Sequence, residues 1–201
     1  MENPTRTALY KSVIYQRKNE LNELLGRILP SGRTFVWEVG CGHGHFLTGF
    51  AQAHPEQLCI GVDMESKRIE RAQRKRERAR LPNLHFVHGE ARLFLEALPP
   101  DATFSTIFVL FPDPWPKLRH HKHRILQADF LTAVARRAGE GARLCFRTDF
   151  QPYYADATAA IQAHPDWQIV EESWPFEFET VFQSRAESYY SFVARRRPSP
   201  P

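Results

Sequence analysis

From Phe35 onward the chain alternates short apolar runs with longer stretches of helical periodicity, and this rhythm limits the fold more than any other feature. Such alternation predicts parallel strands in one sheet with helices on its faces. Five parallel strands are expected at 35–39, 58–63, 84–88, 104–111 and 142–148. Helices are expected at about 45–54, 65–81, 91–98, 125–138 and 152–164, each broken near a residue such as Pro55, Pro82, Pro99 or Gly139. Residues 167–173 and 189–195 read as two more strands, separated by a long loop over 174–187. Ahead of the pattern, Val13, Ile14, Leu21, Leu24, Leu25 and Ile28 carry a weak helical signal. The expected organisation is a helical or mobile extension over 1–33, one domain over 34–196 and a frayed tail over 197–201.

A length of 201 residues fits one core, and 42% hydrophobic with 25% charged residues excludes a largely disordered or fibrous chain. No apolar run approaches the ~20 residues that cross a bilayer, and the first residues carry no apolar stretch with a cleavage site; a cytoplasmic setting without membrane contact follows as an expectation. Cys41, Cys59 and Cys145 are odd in number and lack C-x-x-C spacing, so neither a disulfide framework nor a metal site is indicated. The net charge is only +4, but the positive charge is clustered. Lys67 to Arg80 holds eight Lys or Arg against Glu70 and Glu77, and Lys117 to Arg124 adds four cations and three histidines. Either cluster can face a polyanion. The first also reads as a solvated helix face whose charges pair at i,i+4, as Glu70 with Arg74 and Glu77 near Arg80.

The first strand ends in Glu38-Val39-Gly40-Cys41-Gly42-His43-Gly44, a glycine-rich turn at the sheet edge where open α/β folds bind ligands. A dinucleotide fingerprint needs a glycine at position 45 or 47, which are His45 and Leu47, and no Gly-Lys-Ser/Thr follows to make a phosphate loop. Asp63 closes the second strand 19 residues beyond Gly44, where an acid can accept from both ribose hydroxyls of a nucleoside. Glu90 follows the third strand. The set Glu38, Gly40, Gly42, Gly44, Asp63 and Glu90 resembles the cofactor site of Rossmann-like S-adenosylmethionine methyltransferases. The resemblance implies a class I methyltransferase fold: α/β, a seven-stranded, mostly parallel sheet with helices on both faces.

The fourth strand delivers Phe111-Pro112-Asp113-Pro114-Trp115-Pro116-Lys117 to the same edge, where three prolines stiffen the loop that carries Asp113 and Trp115. A basic run, Arg119-His120-His121-Lys122-His123-Arg124, follows with no intervening acid. Together these segments resemble the signature of bacterial tRNA (guanine-N7)-methyltransferases, F-P-D-P-W-x-K followed by R-H-x-K-R-R, with His123 in place of one arginine. The similarity runs over roughly 34–195. It implies S-adenosylmethionine as cofactor, tRNA as partner, N7 of a variable-loop guanine as the target, and a monomer or homodimer. By the same resemblance Asp113 is catalytic and also contacts the cofactor, and Trp115, Lys117, Arg119, Lys122, Arg124 and Asp149 meet the substrate. Thr180, Phe182, Gln183 and Arg185 match a late substrate motif in which Gln183 replaces the usual Glu and a following Gly is missing. Asp63 and Glu90 exchange that family's Glu and Asp.

Guanine N7 bears a lone pair and no proton, so its methylation needs alignment rather than a base. The methylated ring is cationic, and nearby carboxylates gain interaction as it forms. Two other readings compete. An exocyclic-amine nucleobase methyltransferase would carry two prolines between the acid and the aromatic, where this chain has Pro114 alone. An RNA-binding methyltransferase-like protein of reduced activity would not need the full glycine turn with Asp63.

Overall fold

The computed structural model describes residues 6–29, 33–178 and 188–198. Its strands are β1 (Thr34–Val39), β2 (Cys59–Asp63), β3 (Leu84–His88), β4 (Thr103–Leu110), β5 (Ala138–Thr148), β6 (Trp167–Val170) and β7 (Tyr190–Arg196). They form one sheet in the order β3-β2-β1-β4-β5-β7-β6. The first five are mutually parallel, and β7 runs antiparallel between β5 and β6. The chain moves outward from β1 through β2 to β3, then crosses back to β4 on the other side of β1. That reversal opens a crevice above the C-terminal ends of β1 and β4, the place where such sheets hold ligands.

The helices are α1 (Arg6–Ile28), α2 (His45–Ala53), α3 (Ser66–Ala79), α4 (Ala91–Ala97), α5 (Ala128–Ala135) and α6 (Gln151–Ala163). Strand side chains alternate between the faces, so each strand feeds two cores. Phe35, Trp37, Ile60, Ile107 and Phe146 pack with Phe94 of α4, Phe130 of α5 and Tyr153 of α6. Val36, Cys59, Phe86 and Phe108 pack with Phe46 and Phe50 of α2 and Ile69 of α3. Trp37 has no solvent exposure and stacks on Phe94 and Phe104 at centroid distances of 5.1 and 5.6 Å. Burying such a side chain contributes about 2–3 kcal/mol.

Helix α1 joins the first core through Leu21 and Leu25, with Leu29 just beyond it, and Lys18 pairs with Glu96 of α4 at 3.0 Å. Val13 and Tyr15 remain exposed. From residue 11 onward the buried positions of the helix lie in its C-terminal part, which weakens the periodicity over Val13 and Ile14.

Two boundaries differ from expectation. The segment 125–138 is not helical throughout: α5 spans only Ala128–Ala135, after a 3-10 turn at Leu118–His123, and β5 already begins at Ala138 rather than at 142. Arg137 donates to the carbonyls of Pro99 and Pro100 at 2.9 and 2.8 Å, which fixes the end of the helix. Gly141 then takes φ +68° where the β4–β5 register shifts between Phe104 and Thr106, so the strand runs through Gly139, which reads as a break, and on past Gly141. Strand β6 stops at Val170 rather than 173, and Glu172 turns to Arg195. Beyond it, Phe176 packs its ring on Phe46 and Phe50, and Phe178 lies where a side chain on Gly49 would be. Trp174 joins the second core from the same irregular stretch.

Candidate active site at the sheet edge

The turn after β1 takes its shape from three left-handed glycines, Gly40, Gly42 and Gly44, at φ +70°, +53° and +68°. Only glycine adopts these angles without strain. The amides of Gly40 and Cys41 both donate to the Val62 carbonyl at 2.8 and 3.0 Å, which docks the turn on the end of β2. Their other sides differ. A Cβ on Gly44 would lie 2.4 Å from Phe86 and 2.9 Å from Ala72, whereas one on Gly40 or Gly42 would meet nothing within 4 Å. Gly44 is needed for packing against the protein, while Gly40 and Gly42 line open space beside the turn.

Two acids frame that space. Asp63 is buried at the end of β2 and accepts from the Gly42 amide through Oδ2 (2.9 Å) and from the Glu65 amide through Oδ1 (2.8 Å). Glu38 is 4% exposed on the β1 face toward α2 and accepts from the Leu47 amide, while its Oε2 is buried without a hydrogen-bond partner. Burial is the main cause that raises its carboxyl pKa to about 8, and Asp63 adds to the rise. A buried carboxyl oxygen with no protein partner, next to two glycines that leave room, fits a polar or cationic small molecule in the turn. Glu90 caps α4, accepting from the amides of Arg92 and Leu93 at 3.0 and 3.1 Å.

Strand β4 lies directly beside β1, with Val109 in register with Val39, so its loop leaves the sheet next to the glycine turn. This loop uses no glycine, yet Phe111 and Trp115 take φ +47° and +44°. Left-handed backbone at a bulky residue costs about 1–2 kcal/mol each and persists only where surroundings impose it. A main-chain bond to β5 and one buried arginine, Arg124, do so. The Arg147 carbonyl accepts from the Phe111 amide at 2.7 Å; its guanidinium lies 4.0 Å from the Trp174 ring and 4.5 Å from that of Tyr189, and pairs with Glu177 at 3.0 Å. Arg124 donates to the carbonyls of Pro114 (2.8 Å) and Trp115 (3.3 Å), pairs with Asp156 of α6, and packs over Tyr153.

Arg124 therefore corrects an expectation. It is 3% exposed, and its donors are spent on the loop backbone and Asp156, so it supports the loop from inside instead of reaching for a substrate. Lys117, Arg119 and Lys122 do face solvent, and Trp115 is half-buried with its ring 4.9 Å from that of His123. Asp113 and Asp149 are exposed at the ends of β4 and β5, and neither has an ion-pair partner among the described residues. Thr180, Phe182, Gln183 and Arg185 lie outside the described residues. Arg147 escaped the sequence reading. Its one signal is its place directly after the apolar triplet Leu144-Cys145-Phe146 and immediately ahead of Thr148 and Asp149.

Residues 32–190 match the model of a family described as "Putative methyltransferase". The chain is 34% identical over 153 residues to the tRNA (guanine-N(7)-)-methyltransferase of Streptomyces coelicolor, covering 76% of this chain and 55% of that protein. It is 31% identical over 165 residues to the protein of that name from Microcystis aeruginosa, covering 80% and 77%. This chain spans 64% of a further relative of that name from Caulobacter vibrioides, so it covers less than two thirds of two of these three proteins. Among solved structures, NSun6 from Pyrococcus horikoshii superposes with a TM-score of 0.63 at 15% identity over 89% of this chain and 52% of that one, a likeness of fold. The architecture is Rossmann-like, and the chain belongs to the methyltransferase family that includes the bacterial tRNA (guanine-N7)-methyltransferases.

Proposed function

We propose that the protein transfers a methyl group from S-adenosylmethionine to N7 of a guanine in tRNA, the variable-loop guanine being the one that the motif resemblance implies. The observation that carries this reading is the juxtaposition of two loops on neighbouring strands: the glycine turn after β1 and the proline-stiffened Asp113–Trp115 loop after β4. When bound, the cofactor supplies a methyl group on a sulfonium centre. Glu38, Gly40, Gly42, Gly44, Asp63 and Glu90 hold it, Glu38 through the oxygen that has no protein partner and Asp63 from the end of β2.

Asp113 and Asp149 accept from the N–H edge of the guanine and face the positive ring as it forms. Trp115 walls the base, and Lys117, Arg119 and Lys122 meet phosphates. Arg124 and the main-chain bond from Phe111 to β5 keep the acidic loop in its strained shape, so the base is placed with little left to order. The catalytic unit is the domain over 34–196, working in the cytoplasm as a monomer or homodimer.

Incubation with unmodified tRNA and methyl-labelled cofactor, followed by nucleoside mapping, tests the reading; the label is expected in 7-methylguanosine. Changing Asp113 and Asp149 together to Ala is expected to lower methyl transfer by 100-fold or more, roughly 3 kcal/mol. Label in an exocyclic amine, or full transfer by the double variant, overturns it.

A further inference from the structure

A second cationic feature lies on the other side of the glycine turn from the Asp113 loop. His43 and His45, from the turn and the start of α2, face Arg71, Arg74, Lys75 and Arg78 of α3 across a groove of about 350 Å³. The four α3 residues recur at i, i+3, i+4 and i+7, which places them on one stripe about 10 Å long. No acid among the described residues lines the groove. The pairs that would neutralise a solvated helix, Glu70 with Arg74 and Glu77 with Arg80, do not form: among the described residues the one ion pair made from α3 is Arg68 with Asp63, at 3.8 Å.

The groove is also tied to the turn. Lys75 Nζ donates to the His43 carbonyl at 3.0 Å, and Arg71 lies 3.5 Å from the His43 ring. Burial, and then the neighbouring cations, lower the proton affinity of both histidines. Burial likewise lowers that of Lys75, against the pull of Glu38. Glu38 and Asp63 act on the cluster from behind the turn, but no acid among the described residues lines the groove itself, so its positive groups repel one another and an anion placed among them relieves that repulsion.

We propose that this groove grips backbone phosphates of the RNA whose base is presented at the Asp113 loop, as an anchor separate from Lys117, Arg119 and Lys122. The inference rests on the tRNA methylation reading for its choice of partner. A nucleic-acid strand carries a phosphate every few ångströms, so a stripe of this length spans more than one of them. Each phosphate that the protein ceases to neutralise lowers the slope of log binding constant against log salt by about one.

The test is the full-length protein with Arg71→Gln, Arg74→Gln and Arg78→Gln combined. Arg27→Gln, Arg33→Gln and Arg136→Gln combined serve as a control that removes the same charge elsewhere. All six positions lie at or near the surface, and Gln keeps helix propensity close to that of Arg. For the groove variant the KM for tRNA is expected to rise tenfold or more with kcat within twofold, and the salt slope of tRNA binding to fall by about 2–3. The control is expected to keep the parent slope. An unchanged slope and KM in the groove variant, or equal changes in both variants, overturns the proposal. So does an unaltered tRNA slope with lost affinity for polyglutamate, which assigns the groove to an acidic protein. Binding slopes are read without turnover, so a parent protein that fails to methylate tRNA refutes the proposed activity while the groove is still judged.

Discussion

The two loops at the sheet edge solve the same steric problem in opposite ways. The turn after β1 needs left-handed backbone at three places and has glycine at each, so it adopts its shape at little cost and leaves an open wall beside Gly40 and Gly42. The loop after β4 needs the same backbone at two places and fills them with Phe111 and Trp115. Its shape comes from prolines within the loop, from Arg124 beneath it and from the main-chain bond of Phe111 to the end of β5. A site that must let a ligand approach backbone closely uses the residue without a side chain. A site that must present a ring and an acid cannot, and it needs buried support elsewhere.

The largest break in this comparison is expected from Gly44→Ala. The new Cβ combines left-handed backbone with an approach of 2.4 Å to Phe86, and the fold is expected to lose about 3–5 kcal/mol, read as a fall in the urea midpoint. Gly40→Ala suffers the backbone strain without the clash, so a loss as large as that of Gly44→Ala would show that packing has no part in the difference.

Arg124→Gln removes the support from the second loop. The Pro114 and Trp115 carbonyls lose their donors, and a loss of about 2–3 kcal/mol is expected by urea unfolding, together with at least tenfold slower methyl transfer. Most of the cost comes from these carbonyls, because the Asp156 side chain is 56% exposed and finds water. Parent-like stability with normal transfer would mean that the loop holds its own shape.

The smallest effect at acid pH is expected from Glu38→Gln. In the unfolded chain this carboxyl titrates near 4.5 and in the fold at about 8, so the fold holds a proton that the unfolded chain releases. The associated stability is complete below pH 4.5 and is lost as pH rises through 8. Gln resembles the protonated carboxyl, so the two proteins should agree within about 1 kcal/mol near pH 4.5; above it only the parent's unfolded chain ionises at this position, and at pH 7 the variant is expected to be the more stable. Calorimetric melting from pH 5 to 8.5 is expected to decline for the parent and to flatten for the variant. Equal slopes would show that Glu38 is ionised in the fold.

The strands were legible because alternation and apolar runs report burial directly, and β1 and β3 agree with the sequence reading to within a residue. The segment around 118–141 was not. Its residues answer to distant partners: Arg124 to Asp156 and to its own loop, Arg137 to Pro99 and Pro100, and Gly141 to a register shift against β4. The site residues divide in the same way. Gly40, Gly42, Gly44, Asp63 and Asp113 stand out by type and spacing, whereas Arg124 looks in sequence like a surface cation and Arg147 is marked only by the apolar triplet ahead of it.

Residue type and order alone determined a parallel α/β sheet, a glycine turn unsuited to a pyrophosphate, and a stiff acidic loop beside a basic run, because each is a local consequence of side-chain size, φ freedom or hydrophobic period. Only the tertiary structure decided which arginines are buried as braces and which cations are left without acids. Burial and pairing are set by what other parts of the chain bring into contact, and no window of neighbouring residues contains that information.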